Sequence, residues 1–451
     1  MRDIETARVA LRAGQTTSLA LTEAALDRAR DPAGEGERVF TRLYADRALQ
    51  TARAADMLRD AGHAPLPLQG IPISIKDLFD VAGEPTPAGS VVLRDGPVAA
   101  ADAPIVARLR GAGAVLVGRT NMTEFAYSGL GLNPHYGTPR NPFDRATGRI
   151  PGGSSAGGAV SVTDGMALGT IGTDTGGSCR IPAALCGIVG YKPSQQRVSR
   201  DGAVPLSTSL DSIGPLARTV ADCALLDAVI AGEAEVAPPP PFPLDRLTVG
   251  VPGHYVMEGM DDDVARAFER ARSALSAAGL RVIDIPLAML ERLPALNSNG
   301  GIASAEAFHW HRDLLATGAN RYDPNVSARI LAGREHCAAD YIELLRQRRA
   351  MIAEFAAETA GLDALMMPTV PTIAAPIAPL QADEAAYRRT NLLMLRNPSA
   401  FNFLDVCGIS IPCHETGAAP VGLMLTAANG ADRRLFAIAR AVEAVVAPRE
   451  A

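Results

Sequence analysis

The chain has 451 residues, a formal net charge of −6, 47% hydrophobic residues and 20% charged residues. That balance belongs to a globular protein with a large core; it excludes a disordered chain and shows no basic footprint for nucleic acid. The six cysteines, Cys179, Cys186, Cys223, Cys337, Cys407 and Cys413, are scattered without a C-x-x-C pair. No zinc or redox motif is indicated, and they read as buried free thiols in a reducing compartment.

The opening run Met1 to Gly14 is charged and lacks an apolar signal core, so no secretion signal is expected. Helices are predicted over 3–12, 18–31 and 45–61, with Thr17 or Ser18 as a cap and Gly14 and Gly62 as stops. Ile71, Ile73 and Ile75 alternate, which predicts a short strand ending at Lys76 and Asp77. A helix over 103–109 and a buried strand over 114–117 follow. The glycines around that strand precede it, so it is not a dinucleotide fingerprint. A small-residue helix is predicted over 156–168, a brief strand over 170–172 and a helix over 219–231. The proline run 237–243 is a stiff connector, readable as a domain boundary or as a surface crossing inside one fold. Beyond it, 247–251, 263–278 and 280–285 make a β-α-β unit. Helices over 302–316, 339–360, 384–403 and 432–446, with strands over 363–370 and 421–425, complete an α/β pattern. The longest apolar-looking run, 364–382, holds Pro368, Pro371, Pro376 and Pro379 and cannot be a spanning helix, so a cytoplasmic protein is expected.

Two glycine-flanked serine sites stand out, Gly152-Gly153-Ser154-Ser155 and Gly176-Gly177-Ser178. Glycines beside a serine leave the approach of a substrate open and free the backbone to take unusual angles. A serine also needs a base, being a poor nucleophile at its own pKa. Gly153 to Gly157 satisfies G-x-S-x-G with Ser155 as nucleophile, but an α/β-hydrolase elbow needs a strand before it, and 141–151 reads as a loop. His414 would be its late histidine, with no acid clearly placed to orient it. Neither glycine-rich site ends in Gly-Lys-Ser/Thr, so no P-loop is present. A lysine base is the third reading. Lys76 ends an apolar strand, where burial favours the neutral amine; the local pattern equally allows a strand-end lysine that snorkels to solvent.

Several motifs in one order carry a resemblance: Gly70 to Asp77 with Lys76, Asn121-Met122-Thr123-Glu124-Phe125, Pro151 to Ser155, Gly172 to Pro182, and Gly190-Tyr191-Lys192-Pro193-Ser194. Together they resemble the amidase signature family, strongly over 65–230 and weakly again at Asn402 to Gly408 and Pro420 to Met424. The resemblance implies a Ser-Ser-Lys triad, with Ser178 as nucleophile, Ser154 as the bridging serine on a cis peptide bond and Lys76 as base. Thr175, Gly176, Gly177 and Ser178 match the oxyanion-hole loop; Asp174 and Arg180 match residues that brace it. Ser155 is a supporting residue that either hydrogen-bonds within the loop or tunes the relay, and Cys179 reads as wall. Ala156 and Gln195-Gln196 depart from the family pattern without touching the triad. Lys192, the other candidate base, reads as structural because the resemblance places the base at Lys76. His309 and His311 diverge on a helix, so no metal is expected there or elsewhere.

The resemblance further implies one α/β domain over 1–451, a central mixed sheet flanked by helices. Within it, 1–62 is an N-terminal helical layer, 65–230 the signature core and 245–451 a more variable substrate-side part. The expected activity is hydrolysis of carbon–nitrogen amide bonds through an acyl-enzyme, with no cofactor. The expected partner is a small-molecule amide, with no nucleic acid and no membrane, and a homodimer is allowed. The pocket is expected near 121–128 and 300–400. The family also contains an amidotransferase component that works in a complex and passes ammonia to a charged tRNA, which is the alternative. A binding protein without activity fits poorly with a complete triad.

Overall fold

Short apolar runs become the strands of one mixed sheet in this computed structural model, which describes residues 3–448. In chain order the strands are β1 (Phe40–Leu43), β2 (Pro72–Lys76), β3 (Val115–Thr120), β4 (Gly169–Asp174), β5 (Val189–Lys192), β6 (Ser212–Ala217), β7 (Thr248–Pro252), β8 (Arg281–Ile285), β9 (Ala364–Pro368), β10 (Cys407–Pro412) and β11 (Gly422–Ala427). Across the sheet they run β1-β3-β2-β4-β6-β5-β10-β11-β9-β7-β8. β2 is parallel to both β3 and β4. β4 through β6, β5, β10, β11 and β9 pair antiparallel, and β9, β7 and β8 return to parallel pairing. Strands β2 to β6 are buried along their whole length, because helices cover both faces.

Most predicted helices form within a residue or two. Thr17 caps Ser18–Arg30 by accepting from the Ala20 N–H, and Glu384–Phe403 and Asp432–Val446 take their expected bounds. The β-α-β unit forms as β7, the helix Asp262–Ala277 and β8. The proline run before it is a crossing inside one fold: Phe242 N–H donates to the Ala437 carbonyl, and β7 joins the same sheet through β9.

Departures have local causes. The helix predicted to Leu168 stops at Thr163, because Gly165 takes a left-handed φ of +70° and Leu168 N–H turns to the Pro72 carbonyl beside β2. β6 was not predicted: Gly214 and Pro215 punctuate it as a turn, yet it lies in the middle of the sheet. β1, β5 and β10 are likewise new, two of them only four residues long. Helices Arg180–Cys186 and Pro324–Ala332 were also missed. Cys337 is exposed; the other five cysteines are buried free thiols. No helix among the described residues is long and apolar enough to cross a membrane.

Candidate active site

Parallel pairing of β2 and β4 puts their carboxyl ends on the same edge of the sheet, the usual place for a site in parallel α/β sheets. Alternation along β2 then decides which side chains meet there. Ile73 and Ile75 point to one face, while Ser74 and Lys76 point to the other. Ser74 Oγ lies 2.9 Å from Ser161 Oγ on the helix Ala156–Thr163. Lys76, two residues on, reaches the residues that precede that helix. Its Nζ donates to Ser154 Oγ at 2.7 Å and to Thr173 Oγ1, at the end of β4, at 2.8 Å. The Gly153–Ser154 peptide bond is cis.

The two serine loops are tied together by backbone. Ser155 N–H donates to the Ser178 carbonyl at 3.3 Å, and Ser155 Oγ lies 3.4 Å from the Thr173 carbonyl. Gly172 is required here, since a Cβ on it would meet Ser155 Oγ at 2.5 Å. No strand precedes Ser155, so the nucleophile-elbow reading fails on its context.

Asp174 organises the loop that follows β4. Its carboxylate accepts from Gly177 N–H (2.8 Å), Cys179 N–H (3.2 Å) and the Arg180 guanidinium (2.9 and 3.0 Å). Asn402 Nδ2 adds a bond of 2.9 Å, and Asn402 Oδ1 in turn accepts from Arg180. Burial alone would raise the Asp174 carboxyl; the Arg180 charge and these hydrogen bonds override it and hold it well below the usual range. Gly177 was expected to donate to the oxyanion, but its N–H is taken by Asp174. The N–H groups of Thr175, Gly176 and Ser178 have no acceptor among the described residues. Gly177 itself sits at φ +123°, with Pro398 Cβ 2.6 Å from where a Cβ would stand.

Burial pushes the Lys76 ammonium down to about 8, against the pull of charged groups that include Asp174 and Asp211. Lys192 is lowered to about 8 as well, by burial and then by Arg180, but its Nζ donates to the Pro193 carbonyl at 2.7 Å rather than to a serine. Cys179 points away, to the Gly214 carbonyl, and burial keeps its thiol protonated. Thr175 Oγ1 donates to Asp211, whose carboxyl burial pushes up to about 6 against the hydrogen bonds it accepts. Thr173, Asp211 and Asn402 are site residues that sequence reasoning missed. Thr173 and Asn402 lie within quoted motifs but carry no assigned role there, and Asp211 lies in none; they matter through what the sheet and the last long helix before β10 bring together.

A cavity of about 680 Å³ opens over Thr175, Gly176 and Ser178. Tyr127 and Ser128 wall one side, within the expected 121–128, and the segment 300–400 contributes as expected. Leu210, Tyr255, Leu293, Pro294, Asn297, Ser298 and Phe403 were not foreseen. Asn121 serves the loop instead, donating to the Arg38 and Gly137 carbonyls. The wall at Tyr127 follows two left-handed residues, Phe125 and Ala126, a costly backbone that needs outside support. Phe125 is clamped by the rings of Trp310, His311 and Tyr322. Trp310 and His311 thus pack on Phe125: His311 Nδ1 lies 2.9 Å from the Tyr322 hydroxyl, and burial lowers its imidazole to about 3. At the surface, His254, Glu258 and Glu291 bring three ligand-type atoms within 4.8 Å of one another, an exposed arrangement common without any ion.

The eleven-stranded mixed sheet, with a serine-bearing loop at the ends of β2 and β4, defines an amidase-type α/β enzyme. The Amidase family pattern matches residues 20–436. The chain is 37% identical over 406 residues to 2-amino-5-chloromuconic acid deaminase of Comamonas testosteroni, covering 89% of this chain and 87% of that protein. It is 36% identical to the A component of the glutamyl-tRNA(Gln) amidotransferase of Chromohalobacter salexigens, covering 95% and 93%. Among solved structures, an amidase superposes with TM-score 0.88 at 35% identity, covering 98% of this chain and all of that one. The native peptide amidase of Stenotrophomonas maltophilia superposes with TM-score 0.82 at 29% identity, covering 99% and 97%. The chain belongs to the amidase signature family and is an enzyme acting on carbon–nitrogen bonds.

Proposed function

We propose that this chain hydrolyses the amide bond of a small molecule through a serine acyl-enzyme, with Ser178 as nucleophile, Ser154 as proton relay and Lys76 as base. The observation that carries this reading is the contact of the buried Lys76 Nζ with Ser154 Oγ at 2.7 Å. With its pKa lowered to about 8, Lys76 has an accessible neutral form whose lone pair accepts the Ser154 proton. Ser154 takes the proton of Ser178, and Ser178 Oγ attacks the carbonyl carbon. The N–H groups of Thr175, Gly176 and Ser178 receive the oxyanion, while Gly177 N–H keeps the loop anchored on Asp174. The relay returns a proton to the departing amine. Water, activated by the same route, then releases the acid.

The test is intact-mass measurement after exposure to a fluorophosphonate, with the adduct mapped by peptide. An adduct on Ser178 is expected; one on Ser155 or Cys179 would sink the assignment. The second expectation is a pH profile. kcat/KM rises along a single limb with its midpoint near 8 as Lys76 loses its proton. A rate that falls from neutral to mildly alkaline pH, with circular dichroism unchanged, would refute a lysine base. The same depression has a stability consequence. The folded value of Lys76 lies below its unfolded one, so its burial costs stability below about 8 and the cost is relieved as pH rises above that.

A second reading is supported by the similarity to the A components of tRNA amidotransferases, which covers nearly the whole chain. It predicts that the isolated chain is slow on every amide and is rescued by partner proteins. Robust turnover by the isolated chain favours the first reading.

A further inference from the structure

We propose that the amide taken by this pocket carries a carboxylate, held by Arg329 and Arg396; the inference rests on the amidase reading and specifies its substrate class. The cavity over Ser178 is lined by three arginines, Arg329, Arg389 and Arg396, and by no aspartate or glutamate. Arg389 is exposed at the rim and has Asp383 at 3.9 Å. The other two are half-buried, and neither has a carboxylate within ion-pair distance among the described residues.

Both guanidiniums are oriented by neutral acceptors. Arg329 lies over the Tyr127 ring, 4.1 Å from its centroid, and Nη1 donates to the Tyr127 carbonyl at 2.6 Å. Arg396 donates from Nε to Asn397 Oδ1 at 2.9 Å and from Nη2 to the Val256 carbonyl at 3.4 Å. Carbonyl and amide oxygens fix the plane of a guanidinium but do not neutralise it. A guanidinium has five donors, and each of these two keeps several for a ligand. Burial lowers Arg396, which marks a charge short of compensation; the Tyr255 hydroxyl and Glu258 act on it in the opposite sense, and Glu258 does not line the cavity. A planar fork without a counter-ion, inside a largely apolar cavity, is matched by a carboxylate that takes two parallel hydrogen bonds. Leu395, Phe403 and, at the rim, Leu392 give the wall apolar surface, with Ser128, Asn297, Ser298 and Ser399 among them. The ligand so described has an apolar body, a carboxylate at one end and the scissile amide at the other.

The experiment uses the Ser178→Ala protein, so that binding is read without turnover. Isosteric pairs are titrated by calorimetry: 4-carbamoylbenzoate against 4-methylbenzamide, and succinamate against butyramide. At least one acid should bind about tenfold or more tightly than its neutral partner, the gain of a charge-assisted pair. The advantage should shrink at high salt only in part, because the pair is half-buried. Arg329→Met and Arg396→Met should each reduce the acid-to-neutral ratio several-fold, whereas Arg388→Met, on the exposed side of the helix, should not. Arg329→Lys and Arg396→Lys replace either methionine variant that fails to fold. Equal binding of acid and neutral partners, no binding by either acid, or an unchanged ratio in both arginine variants overturns the proposal. Fluorophosphonate labelling of the wild-type chain reads the amidase assignment separately, so a labelled Ser178 with no acid preference rejects this inference alone.

Discussion

Ser178→Ala is expected to lower kcat/KM on any amide the enzyme accepts by a factor on the order of 10⁴ or more, since triad members act as a unit. Thermal unfolding should be nearly unchanged. The reason lies in which atoms of Ser178 the fold uses. Its carbonyl accepts from Ser155 N–H, and that bond survives in alanine; no side-chain hydrogen bond of Ser178 braces the loop among the described residues. Lys76→Met should cost a comparable factor in rate without lowering stability at neutral pH, because it removes a buried ammonium whose own burial is unfavourable. Steady-state kinetics alongside calorimetric melting checks both. Near wild-type turnover by the Ser178 variant would remove it from the nucleophile's role. A large drop in melting temperature would show that the loop needs the hydroxyl for its shape.

Arg180→Met should destabilise the protein by about 3–5 kcal/mol at neutral pH, because breaking a fully buried ion pair strands the remaining charge. The stranded group is Asp174, which holds Gly177, Cys179 and Asn402 in place. Activity should fall with stability, since the Gly177 N–H bond orients the loop carrying Ser178. The pH dependence has a definite sign. In the wild type, the Asp174 carboxyl is held below its unfolded value, so its stabilisation is present above the unfolded pKa and is lost as pH falls through the folded one. In the variant the pairing is gone and protonation of Asp174 becomes favourable, so the gap between the two proteins should narrow in acid. Urea unfolding at several pH values measures it. A gap that stays constant or widens toward acid would show that Asp174 is not the group left uncompensated.

How much of this was legible in the sequence depended on whether a signal was local. The alternation of Ile71, Ile73 and Ile75 marks β2 by itself, and the caps and glycine stops mark most helices. The candidate site was drawn from a resemblance that spans several motifs; from local pattern alone, Lys76 read more readily as a solvent-seeking lysine. What the residues could not announce is the side of the sheet they share. Thr173 becomes a partner of Lys76 only because β4 is parallel to β2, and Asn402 reaches Asp174 only through the packing of the helix Glu384–Phe403. β6 was hidden by its own composition, since Gly214 and Pro215 mimic a turn and only tertiary pairing on both sides makes them a strand. The resemblance implies Gly177 among four loop donors, and no local signal announces that its N–H is bonded to the Asp174 side chain.

The order of strands also sets when the enzyme can come into being during synthesis. β5 ends at Lys192, yet its neighbour β10 begins at Cys407, and the carboxylate that anchors the serine loop takes one of its bonds from Asn402. A nascent chain that has emerged as far as the proline run carries Lys76, Ser154 and Ser178 but lacks the strand that covers β5 and the amide that completes the anchor. Partial chains therefore lack contacts that complete the loop after β4. The anchor of that loop is complete only once the helix Glu384–Phe403 has been made.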